Sequence, residues 1–152
     1  MNPLRKLYIH TLFALLAISL APGLRAQVPQ LLNYQGVIET DGVLFSGEGA
    51  FKFALVSADG SSSYWSNDGS SVDGGESASA VTLSVEDGIY SVLLGDATLT
   101  NMTVLPATVF TNAEVYLRIW FNDGSNGFQQ LAPDQQIAAV GYAMMAGQVA
   151  NA

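Results

Sequence analysis

The sequence predicts an all-β fold, an antiparallel β-sandwich of about 7–8 strands, and three observations carry that prediction. Short runs of alternating apolar and polar residues recur along the chain, the period-2 pattern of half-buried strands. Clusters rich in Gly, Asp and Asn separate them at regular spacing, as tight turns between strands require. The third is the stretch 80–95, AVTLSVEDGIYSVLLG. There, Val81, Leu83 and Val85 alternate with Thr82 and Ser84, and Asp87-Gly88 supplies a two-residue turn. That turn sets Glu86 opposite Ile89, Val85 opposite Tyr90, Leu83 opposite Val92 and Val81 opposite Leu94. All three apolar pairs then share one face, so turn and pattern specify the same register. The second strand is apolar on both sides, which places it centrally in a sheet.

The first residues do not read as part of this fold. Arg5 and Lys6 precede an apolar run, residues 7–21, which Pro22-Gly23 ends, and Ala26 stands before Gln27. A basic end, an apolar middle and a small-residue exit make a secretory signal peptide over residues 1–26, drawn as a helix. A membrane anchor is the competing reading, but a span needs about 20 apolar residues and this run is shorter. Removing 26 of the 152 residues leaves 126, one domain, expected over 27–142. The mature chain is therefore expected to be secreted, in the periplasm, at the cell surface or outside the cell, with no membrane contact after cleavage.

Cleavage also alters the charge. The chain has 5 basic and 13 acidic residues, and Arg5, Lys6 and Arg25 lie in the signal. Losing three positive charges takes the net charge from −8 to −11 and leaves Lys52 and Arg118 as the only cations. Such acidity repels phosphate backbones and anionic lipid, so nucleic acid is excluded as a partner. The same acidity keeps strand edges soluble and apart. There are no cysteines, so a domain of this size must be held by its core.

The remaining elements follow in order. Leu32, Tyr34 and Ile38 share one side of a first strand, with Asn33 and Gln35 on the other, and Asp41-Gly42 turns it. Residues 47–57 form the next strand, with Phe51, Phe53 and Leu55 inward and Lys52 outward. Tyr64-Trp65 marks a short strand, because two aromatics need packing. Residues 66–79, rich in Ser, Gly, Asp and Asn, read as a long, mobile surface loop. Beyond the central hairpin, residues 105–110 predict one helical turn with Pro106 at its first position, plugging one end of the core. Val115, Leu117, Ile119 and Phe121 line one face of a strand over 114–122; Tyr116, Arg118 and Trp120 line the other. The turn cluster 122–127 returns the chain as 128–131, Pro133-Asp134 breaks that strand, and 136–142 forms the last one. Residues 143–152 favour a short helix.

Chemistry is sparse. The one histidine, His10, lies in the signal, and no cysteine exists, which removes Ser-His and Cys-His catalysis and the usual zinc ligands. A carboxylate pair could still cleave glycosides, yet no Asp or Glu spacing singles one out. The chain therefore reads as non-enzymatic and without a cofactor. Calcium is the remaining metal idea, through Asn67, Asp68, Asp73 and Glu76, because calcium takes oxygen ligands. Their spacing is not that of an EF-hand, and Asn-Asp-Gly is an ordinary turn sequence. Tyr64, Trp65, Tyr116 and Trp120 are candidates for a sugar or peptide platform. The plainer reading has Tyr116 and Trp120 covering the outer face of a sheet, with Arg118 lying along it. Asn101-Met102-Thr103 matches a glycosylation sequon by chance.

PQLLNYQG, DGIYSVLLG, LPATVF, VYLRIWF and QLAPDQQIAAVGYAMMAG together resemble the N-terminal β-domain of secreted and tail-fibre-like surface proteins of Gram-negative bacteria. The resemblance spans residues 28–147. It implies a module that follows a signal peptide and precedes fibrous, repeat or chaperone segments, with no catalytic residues to transfer. It also implies a continuation past the Tyr142-Ala143 segment, so residues 143–152 are expected to form a junction to a partner or to a missing continuation.

The expected function is a structural or assembly module, with self-association or a following fibrous segment as partner. Ile137, Val140 and Tyr142 can finish the sandwich, but Met144, Met145 and Val149 are apolar residues beyond it. Tyr142, Met144, Met145 and Val149 are therefore the expected assembly contacts, methionine being adaptable to irregular surfaces. The alternative is an adhesin domain that binds a glycan or protein ligand.

Overall fold

The computed structural model describes residues 30–137. The expected signal helix and C-terminal helix lie outside the described residues, as do Tyr142, Met144, Met145 and Val149. The regular structure of the described part is almost all β, in antiparallel sheets, with one 3₁₀ segment. In chain order the strands are β1 (Leu32–Val37), β2 (Glu39–Thr40), β3 (Val43–Leu44), β4 (Gly47–Val56), β5 (Ser63–Ser66), β6 (Val81–Val85), β7 (Ile89–Leu94), β8 (Tyr116–Asn122) and β9 (Gln129–Gln136).

β4 is the axis of the larger sheet. β8 pairs along one edge, with β9 outside it. Along the other edge β6 pairs with the first half of β4 and β5 with the second. β1 and β7 form a separate two-stranded sheet, and β2 and β3 a small hairpin about Asp41-Gly42, whose φ angles are 53° and 78°. The alternation along β4 works as expected: Phe51, Phe53 and Leu55 are fully buried. They meet Leu117, Ile119 and Phe121 of β8 and Tyr90, Val92 and Leu94 of β7 in one core. Rings organise it, with Phe51 centred 4.4 Å from Tyr90 and 5.0 Å from Phe121.

The central hairpin needs correction. Asp87 and Gly88 do adopt positive φ, 48° and 80°, and Glu86 does bridge Ile89. Beyond that pair the strands part: β6 joins β4 in the larger sheet and β7 joins β1 in the smaller. The turn is a corner between sheets. Its backbone is tied to the β2–β3 region, where the Gly88 amide donates to Phe45 O at 2.8 Å and the Ile38 amide donates to Gly88 O at 2.8 Å. Alternation decides which side chains are inward, and Val81, Val85, Tyr90, Val92 and Leu94 are all buried. It does not decide which backbone lies alongside. Among the described residues β7 pairs only with β1 and so is not a central strand, and Ile89 on its outer side is exposed.

Three smaller corrections concern irregular segments. Pro133-Asp134 does not break the strand begun at Gln129; β9 runs through it to Gln136. Pairing shifts there, from Ile119 opposite Leu131 to Leu117 opposite Gln135, so three β9 residues bulge against Arg118. A proline is tolerated because β9 is an edge strand. The turn after Leu105 is a 3₁₀ helix, Ala107–Thr111, and Pro106 caps it from outside. It places Val109 and Phe110 in the core, closing one end as expected. Ile137 donates to Val115 O at 2.8 Å, and the rest of the expected last strand lies outside the described residues.

Candidate functional site

The outer face of the larger sheet is the one turned away from the main core. Lys52 of β4 and Arg118 of β8 are the only cations among the described residues, and both project to this face. Lys52 is 7% exposed. Its ammonium meets Glu76 at 2.5 Å and lies 4.1 Å from the centre of the Phe128 ring. Arg118 holds Asp134 in a forked pair, Nε to Oδ1 at 3.0 Å and Nη2 to Oδ2 at 2.7 Å. Its Nη1 also donates to the carbonyls of Gly60 at 3.2 Å and Gly74 at 2.8 Å. The fork holds the guanidinium's pKa above its ordinary value against the opposing effect of burial. Between these cations Ala54, Val56 and Trp120 form a second apolar cluster, with Tyr116 and Phe128 at its margin.

The expected mobile loop is instead pinned over this face. Asn67 is fully buried. Its Oδ1 accepts the Phe53 amide at 3.0 Å, and its Nδ2 donates to Ser79 O at 2.8 Å and Asn101 O at 3.0 Å. Asp68 accepts from the Ser70 amide and hydroxyl and from the Ser79 amide. Burial opposes ionisation of Asp68, but these donors outweigh it and lower the pKa. Ser71 reaches Ser66, Ser63 and Gly75, and Ser77 is buried against Phe53. Serines that read as solvated loop thus supply the hydrogen bonds of an ordered one.

The calcium candidates do not converge. Asn67 is engaged with the backbone, Asp68 with its own loop and Glu76 with Lys52; Asp73 is exposed at φ 51°. No group of three or more His, Cys, Asp or Glu side chains that could hold a metal occurs among the described residues. The aromatic candidates fall on opposite sides of the larger sheet. Trp65 enters the main core and donates from Nε1 to Val104 O at 3.0 Å. Trp120 is buried in the outer cluster. Neither indole offers a face to solvent. Half-buried Tyr116 borders that cluster, and half-buried Tyr64 lines a shallow depression of about 330 Å³ with Asp59, Asn112 and Glu114.

A cleft of about 500 Å³ lies where the two sheets diverge, between β1 and β9. Leu117 and Ile119 are at its base; Tyr34 and Gly36 of β1 and Leu131 and Pro133 of β9 form its walls. Among the described residues β1 pairs only with β7 and β9 only with β8, so both walls are free strand edges. Gly36 is required here: a Cβ would come 2.6 Å from the Tyr90 hydroxyl oxygen. The Tyr34 and Tyr90 rings lie 6.2 Å apart, centre to centre, and burial raises the pKa of both hydroxyls. No described residue lining this cleft is charged. Sequence reading did not single it out, because a cleft between two edges depends on which strands pair.

Residues 33–134 match the family described as "Domain of unknown function (DUF8740)", and the chain belongs to that family. No curated protein and no solved structure matches it.

Proposed function

We propose that this chain is a non-enzymatic structural or assembly module of a secreted, tail-fibre-like bacterial surface protein. Its two sheets are read as one β-sandwich, exported by residues 1–26 and joined through residues 143–152 to a second copy or a fibrous continuation. One observation carries the reading: the charged and polar side chains of the outer face are spent on holding the fold. Both cations are neutralised within the sheet and loop, and Asn67, Asp68 and Glu76 have protein partners. No His or Cys is present in residues 30–137 to serve as base, nucleophile or soft ligand.

The test is sedimentation velocity of the exported chain over a wide concentration range. Self-association is expected, and Met145→Asp with Val149→Asp should render the chain monomeric without lowering its melting temperature. A wild-type chain that is monomeric at every concentration refutes the assembly reading. The adhesin alternative would need a surface other than the two tryptophans, which are buried.

A further inference from the structure

We propose that the cleft between β1 and β9 is the docking site for the chain's own uncharged segment, residues 141–145, added as a third strand beside β1. This goes beyond the assembly reading and does not rest on it. Three observations support it.

The first is charge. From residue 27 onward the chain has two cations against 13 acids and is strongly anionic, yet the described lining of this cleft is uncharged. Residues 135–152 are likewise without charge. An acidic surface elsewhere offers such a segment neither attraction nor a dry contact.

The second is reach. The chain leaves β9 just past Gln135, which lines the cleft, while the opposite end of β9, at Gln129 and Leu131, shares a depression with Glu39 and Thr40 beyond the end of β1. Sheets pack about 10 Å apart, and an extended residue spans about 3.3 Å, so about three residues cross from β9 to the level of β1. Residues 138–140 make that crossing, Gly141 turns, and 141–145 run beside 34–37. An attached segment acts at an effective concentration near the millimolar range, which favours the chain's own tail over another copy's.

The third is pattern. Tyr142 and Met144 alternate with Ala143 and Met145. In a strand the first pair faces the base formed by Leu117 and Ile119, and the second pair faces out with Gln35. The free edge of β1 supplies the backbone partners, as in strand addition generally. Met145 faces outward and Val149 lies past the cleft, so both stay available for an assembly contact.

The full chain has no cysteine, which makes the test direct. In the exported full-length protein, Gln35→Cys is combined with Ala143→Cys, or with Met145→Cys to cover a two-residue slip. Oxidation in dilute solution should give a monomer with one internal disulfide, identified by mass spectrometry of the linked peptides. Hydrogen exchange of the unmodified chain should show the β1 amides not bonded to β7 protected, and Met144→Asp should lower that protection about tenfold or more. Disulfides formed only between chains, at equal rate in a mixture of the single-cysteine proteins, overturn the proposal in favour of a second copy's tail. No disulfide together with rapid exchange along the free β1 edge overturns it altogether. Sedimentation of the same samples reports the assembly reading separately.

Discussion

Replacing Gly88 by valine tests whether the Asp87-Gly88 corner pins the two sheets together. Gly88 has φ 80°, and a β-branched residue held there costs about 1–3 kcal/mol in backbone strain. A Cβ would also lie 2.7 Å from Leu44 Cδ2 and 3.0 Å from the Ile38 carbonyl oxygen. Leu44 is 48% exposed and can yield. The carbonyl cannot, because it accepts the Phe45 amide at 3.1 Å. Crowding of this kind adds about 1–3 kcal/mol, for a total of about 2–6 kcal/mol. At roughly 3–5 °C per kcal/mol for a domain of this size, the melting temperature should fall by about 6 °C or more. Gly42 provides the control: its φ is 78° and a Cβ there meets nothing within 4 Å. Gly42→Val therefore carries strain alone. Thermal and urea unfolding, followed by the fluorescence of the buried Trp65 and Trp120, should separate the two variants by about 1–3 kcal/mol. Equal losses would show that the corner's contacts with β2 and β3 do not hold the sheets, and would refute the reasoning.

Further outcomes follow from the outer face. Asn67→Asp keeps the acceptor for the Phe53 amide but cannot donate to Ser79 O and Asn101 O, so it should cost about 3 kcal/mol or more near neutral pH. Burial beside two carbonyls raises that carboxyl's folded pKa, so the loss should shrink as pH falls; a pH-independent loss in urea unfolding would contradict the bonding. Arg118→Lys should cost about 2 kcal/mol, most of the effect of Arg118→Ala, because one ammonium cannot span Asp134 and two carbonyls at once. Equal melting temperatures for wild type and Arg118→Lys would argue against it. Hydrogen bonds from Ser57 and Ser61 hold Asp59 at about 2, below its ordinary 3.8. A depressed folded pKa stabilises fully above the unfolded value and is lost as pH falls towards the folded one. Melting temperature should thus decline between about pH 4 and pH 2, with a shallower decline in Asp59→Asn.

What the sequence showed well were faces. Every inward residue of β4 and β8 was legible from alternation, because burial imposes period 2 whichever strands are neighbours. Neighbours themselves were not legible. Val81, Val85, Tyr90, Val92 and Leu94 point inward whether residues 81–94 form a hairpin or a corner, so the pattern fits both. The choice is made by backbone groups, which β4 and β1 satisfy at longer range. The cleft inherits this illegibility, being defined by two edges left free. Pro133 misled for a related reason: it forbids a ladder bond at one position, which an edge strand absorbs by bulging.

The loop at 67–80 shows where composition fails as a guide to order. Its residues are those of a solvated turn, and each taken alone favours mobility. Yet β4 and β8 each carry one cation to a face covered by apolar side chains, and a charge 7% exposed, as Lys52 is, must find a counter-charge. From residue 27 onward the sequence holds 13 acidic residues against two cations, so carboxylates are plentiful, and the ones within reach belong to irregular segments: Glu76 in the loop and Asp134 in the bulge. The cations therefore recruit the very segments that composition marks as loose, and Asn67 completes the closure by satisfying three backbone groups at once. The legible signal was the scarcity of positive charge. Where the strands of an acidic chain carry only two cations, and each sits between apolar neighbours, each has a structural partner to find, and the order of the loops depends on where that partner lies.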